Sequence, residues 1–322
     1  MKNLYTQLEQ DNVPKTLTLL IQSIVGACTE IATPINHGAL SDVLGSLPDH
    51  NVQGEVQKKL DVIANNILIE SLKKNKQVRA VASEEVEDII LCNSFGKYLI
   101  CFDPLDGSSN TDVNGSLGTI FSITSASPAQ TEVSEEDFFS TGRSIIAAGY
   151  VLYGPSLMLA LSTGSGTHIY TLDPSNNNFM LTHPNLNIPE DTNEFSFNLS
   201  NQFKWPENVQ KYIVDLQLGT DGIRKKNFNM RWLGAMVGDM HRILCKGGIF
   251  GYPEEKNFKY GKLRLLYEAN PIAFLVEQAN GLASNGTTSI LDTVPSSIHQ
   301  RIPVFIGSKN EVLLIEKYAL GK

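Results

Sequence analysis

An α/β protein of two lobes is predicted from three features of the sequence. Apolar residues at helical spacing alternate with short runs that read as buried strands. Two of these runs, Val78 to Ala82 and Tyr98 to Phe102, lead directly into carboxylates: Glu84 and Glu85 after the first, Asp103 and Asp106 after the second. The same order of strand, carboxylate and helix start recurs around Glu268, far along the chain. A polar stretch from Asn185 to Asn193 marks the expected division into an N-terminal lobe, residues 1–190, and a C-terminal lobe, residues 191–322.

With 322 residues, 42% of them hydrophobic and 19% charged, the chain can bury a large core and divide in two. Its net charge of −8 argues against nucleic acid, which is held by many Lys and Arg side chains. A small anion needs only a local basic pocket. Cys28, Cys92, Cys101 and Cys245 form no C-x-x-C pair, MKNLYTQLEQ has no charged-then-apolar leader pattern, and no run reaches the length of a bilayer span. The expectation is a reducing, cytoplasmic setting with no membrane partner.

Taken in order, Leu17, Leu20, Ile21, Ile24, Val25, Cys28 and Ile31 predict an amphipathic helix ending before Pro34. Residues 38–54 mix Gly, Ser, Asp, His and Pro without a period and read as a mobile loop. A second helix is expected from about Glu55 to Lys74, with Leu60, Ile63, Ala64, Ile67 and Leu68 on its apolar side. Asp61 sits beside that stripe, either buried with a partner or solvated at its edge. Pro104 is expected to stop the strand that begins at Tyr98, and Gly107 to allow a sharp turn into a helix start at Ser108 and Ser109. Gly118 to Thr124 and Ile145 to Leu152 read as strands. Leu157 to Ser162 and Thr167 to Leu172 read as a hairpin closed at Gly164-Ser165-Gly166, since that G-x-G precedes a strand and not a helix. Thr131 to Asp137 reads as an acidic surface loop with a helix start at Ser134.

Beyond residue 191, a helix is expected near Pro206, another opened by Arg231 to Met236 and closed by Gly247-Gly248, and a strand at Ile249 to Pro253. Strand alternation would set Lys262, Arg264 and Leu266 on one face, binding anions or simply solvated. Asn270-Pro271 is then read as the cap of the next helix. The segment from His299 to Gly307 and a last helix complete the core. His241 and His299 have no paired spacing and read as structural histidines.

Two aspartates leaving one strand end beside hydroxyls and free N–H groups form an anion seat next to two anions. A hard divalent cation shared between the aspartates and a phosphate resolves that conflict. With Glu84 and Glu85 ending a neighbouring strand, four carboxylates meet at one rim, and their repulsion predicts two or three cations.

The stretch FDPLDGSSN, Phe102 to Asn110, resembles the signature of the Mg2+-dependent sugar phosphatases, the superfamily that includes inositol monophosphatases. In this Leu-Asp-Gly-Ser-Ser-Asn form it resembles the class I fructose-1,6-bisphosphatases, and the likeness runs from about residue 16 to residue 318. The resemblance implies a layered αβαβα fold of two lobes, an N-terminal metal-binding lobe and a C-terminal sugar-bisphosphate-binding lobe, with the active site at strand ends between them. It implies Mg2+, two or three per subunit with Mn2+ or Zn2+ as substitutes, on Glu84, Glu85, Asp103, Leu105, Asp106 and Glu268. Glu85, with Glu84 and with Asp61 of a KLD motif, would activate water. Asp106, Gly107, Ser108 and Ser109 would hold the transferred phosphate. Asn198, Arg231, Gly234, Met236, Tyr252, Lys262 and Arg264 would hold the rest of a sugar bisphosphate, Arg231 by reaching into a neighbouring subunit of a homo-oligomer, expected to be a tetramer.

The implied reaction is hydrolysis of fructose 1,6-bisphosphate to fructose 6-phosphate in gluconeogenesis. Sedoheptulose 1,7-bisphosphate is the rival substrate, alone or alongside it. An inositol or 3′-phosphonucleotide phosphatase would leave the distal phosphate grip without use, and an inactive sugar-phosphate sensor is the alternative of another class. The sequence departs from the family at Asn201, where animal enzymes carry a phosphate-binding tyrosine, at Trp232 for tyrosine and at Ala235 for serine. Lys97-Tyr98 matches part of the AMP-binding motif, but Pro14 and Ser125 replace a threonine and an arginine, so weak or absent AMP inhibition is expected.

Overall fold

Alternation along long buried strands sets the layering of the computed structural model, which describes residues 1–41, 43–50, 56–127 and 132–320. After the short helix α1 (Leu4–Gln10), capped by the Asn3 side chain on the Thr6 N–H, comes the long helix α2 (Lys15–His37). A hairpin of β1 (Ser46–His50) and β2 (Val56–Lys58) leads into α3 (Lys59–Lys74). Then follow β3 (Val78–Ser83), β4 (Ile90–Leu91), β5 (Tyr98–Asp106), β6 (Leu117–Ser125), β7 (Ile145–Tyr153), β8 (Leu157–Ser162), β9 (Thr167–Asp173) and β10 (Asn178–His183). These eight strands form one sheet in the order β10-β9-β8-β7-β6-β5-β3-β4, with β3 and β5 parallel and the other neighbours antiparallel.

The second half supplies β11 (Glu194–Phe197), α4 (Glu207–Gln217), β12 (Asn229–Met230), α5 (Met236–Lys246), β13 (Ile249–Tyr252), β14 (Leu263–Arg264), α6 (Asn270–Glu277), β15 (Leu282–Ser284), β16 (Arg301–Ile302), β17 (Val304–Gly307) and α7 (Lys309–Ala319). A five-stranded sheet runs β12-β11-β13-β17-β15. Pleating divides β6 between two cores: Phe121 and Ile123 meet Leu20, Ile24 and Leu68 of α2 and α3, while Ile120 meets Met240 of α5 and Ile272 of α6. On their other side α5 and α6 meet Phe250 and Ile306 of the second sheet, whose far face packs Phe197 and Ile249 on Tyr212 of α4 and Ile315 of α7. The result is helix, sheet, helix, sheet, helix, the αβαβα layering the resemblance implies.

Several local expectations are corrected. Pro34 lies inside α2, which continues to His37 and stops at Gly38, whose φ is +50°. The proline falls in the last turn, where one lost hydrogen bond matters little. By length and composition the stretch Lys15–Ser41 also passes the test of a membrane span, but its apolar side chains fill the core. Of the loop expected over 38–54, residues 38–41 form a 3₁₀ turn and 46–50 a strand, while residues 42 and 51–54 lie outside the described residues. Helix α3 starts at Lys59 instead of Glu55, which is likewise outside them, as is Thr131 of the acidic loop. Pro104 does not end β5: the pairing slips between Asp103↔Ile120 and Asp106↔Gly118, so a bulge absorbs the missing donor. The hairpin at Gly164 to Gly166 is found, as is the Ser134 turn, in which the Ser134 N–H donates to Asp137. Strand β14 ends at Arg264, and Leu265–Ala269 is a π-helical turn feeding α6, so Leu266 shares no strand face with Lys262, and Asn270 lies within the helix instead of capping it.

Candidate active site

Parallel pairing of Ser83 with Phe102 brings the ends of β3 and β5 side by side, and the acidic residues follow from that register. The Glu84 N–H donates to the Phe102 carbonyl at 3.2 Å, which fixes the turn carrying Glu84 and Glu85. Ser83 donates its hydroxyl to Asn65 of α3 at 2.7 Å. At the end of β5, Asp103 accepts the Leu105 N–H at 2.9 Å and Asp106 accepts the Val237 N–H at 2.7 Å. The Asp106 carboxylate therefore caps the first turn of α5 across 131 residues of chain, where the helix dipole favours negative charge. Glu268, in the π-helical turn, accepts the Arg264 N–H at 2.6 Å.

Oxygens of Asp103, Asp106 and Glu268 lie within 4.8 Å of one another, and all three side chains are buried. Desolvation pushes all three carboxyls up. Asp103 and Glu268 also feel Glu84 and Asp106 and lie well above the ordinary range, while donors from α5 limit Asp106 to about 6. Crowded, desolvated oxygen ligands with no cation are poor company for one another, and they are the donor set a hard divalent ion takes. Arg264 is 2% exposed at its side chain, with Nε 3.4 Å from the Glu84 carboxylate. It is a counter-charge to Glu84 and Glu268.

Asp61 is buried, which decides between its two readings. Its Oδ2 accepts the Lys58 N–H at 2.8 Å at the start of α3. Burial first, and Glu85 second among the raising influences, push its carboxyl up to about 7 against the Lys58 N–H and the Ser108 hydroxyl. Asp61, Glu85 and Ser108 thus share one side of the site. Gly107 has φ +80°, and a Cβ there would stand 2.5 Å from the Ala235 Cβ and 2.8 Å from the Ser116 carbonyl. Only glycine lets this turn lie against the start of α5. Ser108 and Ser109 open a 3₁₀ turn instead of an α-helix.

A second group gathers around β13. Trp232 stacks on Phe250 with ring centres 6.0 Å apart and tilts over Tyr252 at 6.1 Å. The Lys262 ammonium lies 5.8 Å from the Tyr252 ring centre and 4.9 Å from that of Phe258. Asn198 accepts the Ser200 hydroxyl at 2.6 Å. Gly234 has φ +78° before buried Met236. Arg231 is half-exposed, 3.7 Å from Glu194, whose main partner is Arg242 at 2.6 and 2.7 Å. His241 bonds the Tyr150 hydroxyl and His299 the Glu87 carbonyl, the structural roles expected of them.

Sequence reasoning missed three polar residues here. Asn65 lies one helical turn after Asp61, a spacing that could have revealed it. Buried Asp239 accepts the Leu233 and Gly234 N–H groups and the Ser196 hydroxyl, shaping the 231–236 approach to α5. Buried Glu255 accepts the Asn201 amide at 3.0 Å. Neither of the last two had a local signal.

A layered α/β molecule that buries carboxylates at adjacent strand ends, beside a helix start and a hydroxyl-bearing turn, defines a phosphoric-ester hydrolase fitted for divalent cations. Family models described as the N-terminal and C-terminal domains of fructose-1-6-bisphosphatase match residues 3–184 and 188–319. The chain belongs to the fructose-1,6-bisphosphatase family. It is 99% identical over 322 residues, all of both chains, to a protein of Pseudoalteromonas translucida (strain TAC 125) named fructose-1,6-bisphosphatase class 1 3. It is 55% identical over 314 residues, 97% of each chain, to the class 1 fructose-1,6-bisphosphatase of Pseudoalteromonas atlantica. The solved Leishmania major fructose-1,6-bisphosphatase in holo form superposes with a TM-score of 0.94 at 38% identity, covering 98% of both chains.

Proposed function

We propose that this chain removes the 1-phosphate of fructose 1,6-bisphosphate by water attack, the activity after which its family and close relatives are named, with Asp103, Asp106 and Glu268 holding Mg2+. The observation that carries the reading is that these three carboxylates are buried oxygen to oxygen beside the Ser108 turn. Glu84, Glu85 and the Leu105 carbonyl complete sites for two or three ions, with Mn2+ or Zn2+ as substitutes. Once bound, the cations supply Lewis acidity, polarising phosphoryl oxygens and lowering the pKa of water.

The chain's own groups do the rest. Glu85 and Asp61 receive the proton of the attacking water, a role suited to a carboxyl pushed up to about 7. The hydroxyls and N–H groups of Ser108 and Ser109 hold the transferred phosphoryl group where charge develops. Asn198, Tyr252 and Lys262 grip the distal phosphate, Gly234 and Met236 line the sugar, and Arg231 of a neighbouring protomer completes the grip in a homotetramer. Arg264 fixes Glu84. Residues 1–190 act as the metal lobe and 191–322 as the sugar lobe of a cytoplasmic gluconeogenic enzyme. With Pro14 and Ser125 in place of the family's threonine and arginine, its AMP response is weak or absent.

Phosphate release from fructose 1,6- and sedoheptulose 1,7-bisphosphate, each with Mg2+, with EDTA and with micromolar AMP, tests this. Turnover of the fructose ester that needs Mg2+ and resists AMP is expected. Cation-independent turnover, or ligand binding with no turnover, would reject the reading.

A further inference from the structure

The distal grip contains a residue that works against it. Glu255 is buried to 5% exposure, and its Oε1 lies 3.6 Å from the Lys262 ammonium. It cannot swing away. The Asn201 amide donates to the same oxygen at 3.0 Å, and residues 255 and 258 pair through their backbones, the Glu255 N–H on the Phe258 carbonyl and the Phe258 N–H on the Glu255 carbonyl. Asn201 is held from its other end, because its Oδ1 accepts the Lys204 ammonium at 2.9 Å. Lys262 is the movable partner: its side chain is 32% exposed, on a flexible stem, between the Tyr252 and Phe258 rings.

We propose that Glu255 is an internal competitor for Lys262, a fixed carboxylate that weakens the hold on the distal phosphate and thereby hastens departure of the monophosphate product. This rests on the distal grip assigned above. The physics fixes the sign. A phosphate dianion arriving at the exposed side of Lys262 shares the ammonium with a carboxylate already on it, and burial leaves that carboxylate poorly screened. The distal phosphate is retained by the product, so a grip strengthened for substrate is strengthened equally for product. Binding of this uniform kind lowers KM without speeding chemistry. A purely structural Glu255, serving only to hold Lys262 in place, predicts the reverse sign, because its loss would slacken the grip.

The test is Glu255→Gln, which keeps size and a hydrogen bond to Asn201 but removes the charge. KM for fructose 1,6-bisphosphate and the inhibition constant of fructose 6-phosphate are both expected to fall about tenfold, with kcat unchanged or lower as release slows. Glu255→Asn, a shorter neutral amide, should move both in the same direction. Glu255→Asp, which keeps the charge on a stem one methylene shorter, should lower both constants less than either amide does. Exposed Glu254→Gln, an equal change in net charge, should move neither constant. Rising or unmoved constants in the neutral variants, with the parent enzyme active and the variants folded by circular dichroism, would overturn the competitor role and leave the grip intact. Inhibition of the parent by fructose 6-phosphate no stronger than by fructose, which lacks the distal phosphate, would overturn the grip and the competitor together.

Discussion

Asp106 meets opposed demands from the fold and from the proposed cation site. Its carboxylate caps α5 through the Val237 N–H, yet it stands within 4.8 Å of the oxygens of two other buried carboxylates. Asp106→Asn keeps an oxygen for the Val237 N–H and removes one of the crowded charges. The cation-free variant is therefore expected to melt no lower than the parent at neutral pH, because like charges, not an ion pair, are being separated. Its Mg2+-dependent kcat/KM is expected to fall by more than about 100-fold, beyond the loss seen for groups that only orient a ligand. Calorimetry and a Mg2+ titration of activity check the two halves, and near-normal turnover would remove Asp106 from the cation site. Asp103, Asp106, Glu84 and Glu268 were picked out in the sequence because each follows a run that reads as a strand, although Asp103 lies at the bulge within β5 and Glu268 within a π-helical turn. Glu255 and Asp239 were not: Asn201 and Ser196 lie 54 and 43 residues away, and the nearer partners of Asp239, the Leu233 and Gly234 N–H groups, are backbone groups that leave no mark in the sequence.

At the scale of elements, the junction from β5 through Gly107 to the Ser108 turn decides whether the site exists at all. Gly107→Ala must place a side chain at φ +80° and a Cβ 2.5 Å from that of Ala235. The left-handed conformation costs roughly 1–2 kcal/mol, and overpacking roughly 1–3 kcal/mol more. A loss of about 3 kcal/mol in urea-unfolding stability is expected, accompanied by lost activity as α5 is pushed off the strand end. A midpoint unchanged from the parent would mean that α5 yields freely. The sequence located this turn because Asp, Gly and Ser carry strong local preferences. It misjudged Pro34, Pro104 and the Leu263 to Glu268 stretch. In each case the structure departs from a local rule: the last turn of α2 carries a proline, a bulge absorbs another, and Leu265–Ala269 forms a π-helical turn that buries Glu268 where a strand face was expected to run to Leu266.

Across the whole molecule, the α/β class was legible in helical stripes alternating with short buried runs, while the αβαβα layering was implied by the resemblance alone. What no stripe could reveal is that the layers meet around carboxylates the apolar layers cannot stabilise when ionised. That conflict makes stability depend on cation and pH together. The folded-state pKa values of Asp106, about 6, and Asp61, about 7, lie above their ordinary 3.8, and those of Asp103 and Glu268 are also raised. Without cations, such groups favour folding below their unfolded pKa, near 4, and that contribution is lost as pH rises through the folded values. With cations neutralising them, ionised carboxylates become ligands and the loss disappears. The gap in Tm between Mg2+-saturated and EDTA-treated protein should therefore widen from pH 5 to pH 8, by on the order of 2 °C for the titration of Asp106 alone. Because both samples share every other titrating group, the difference isolates the acidic cluster. A gap of equal size at the two pH values would mean that these carboxylates are already charged and satisfied in the cation-free fold, and that the cluster is not where the ions bind.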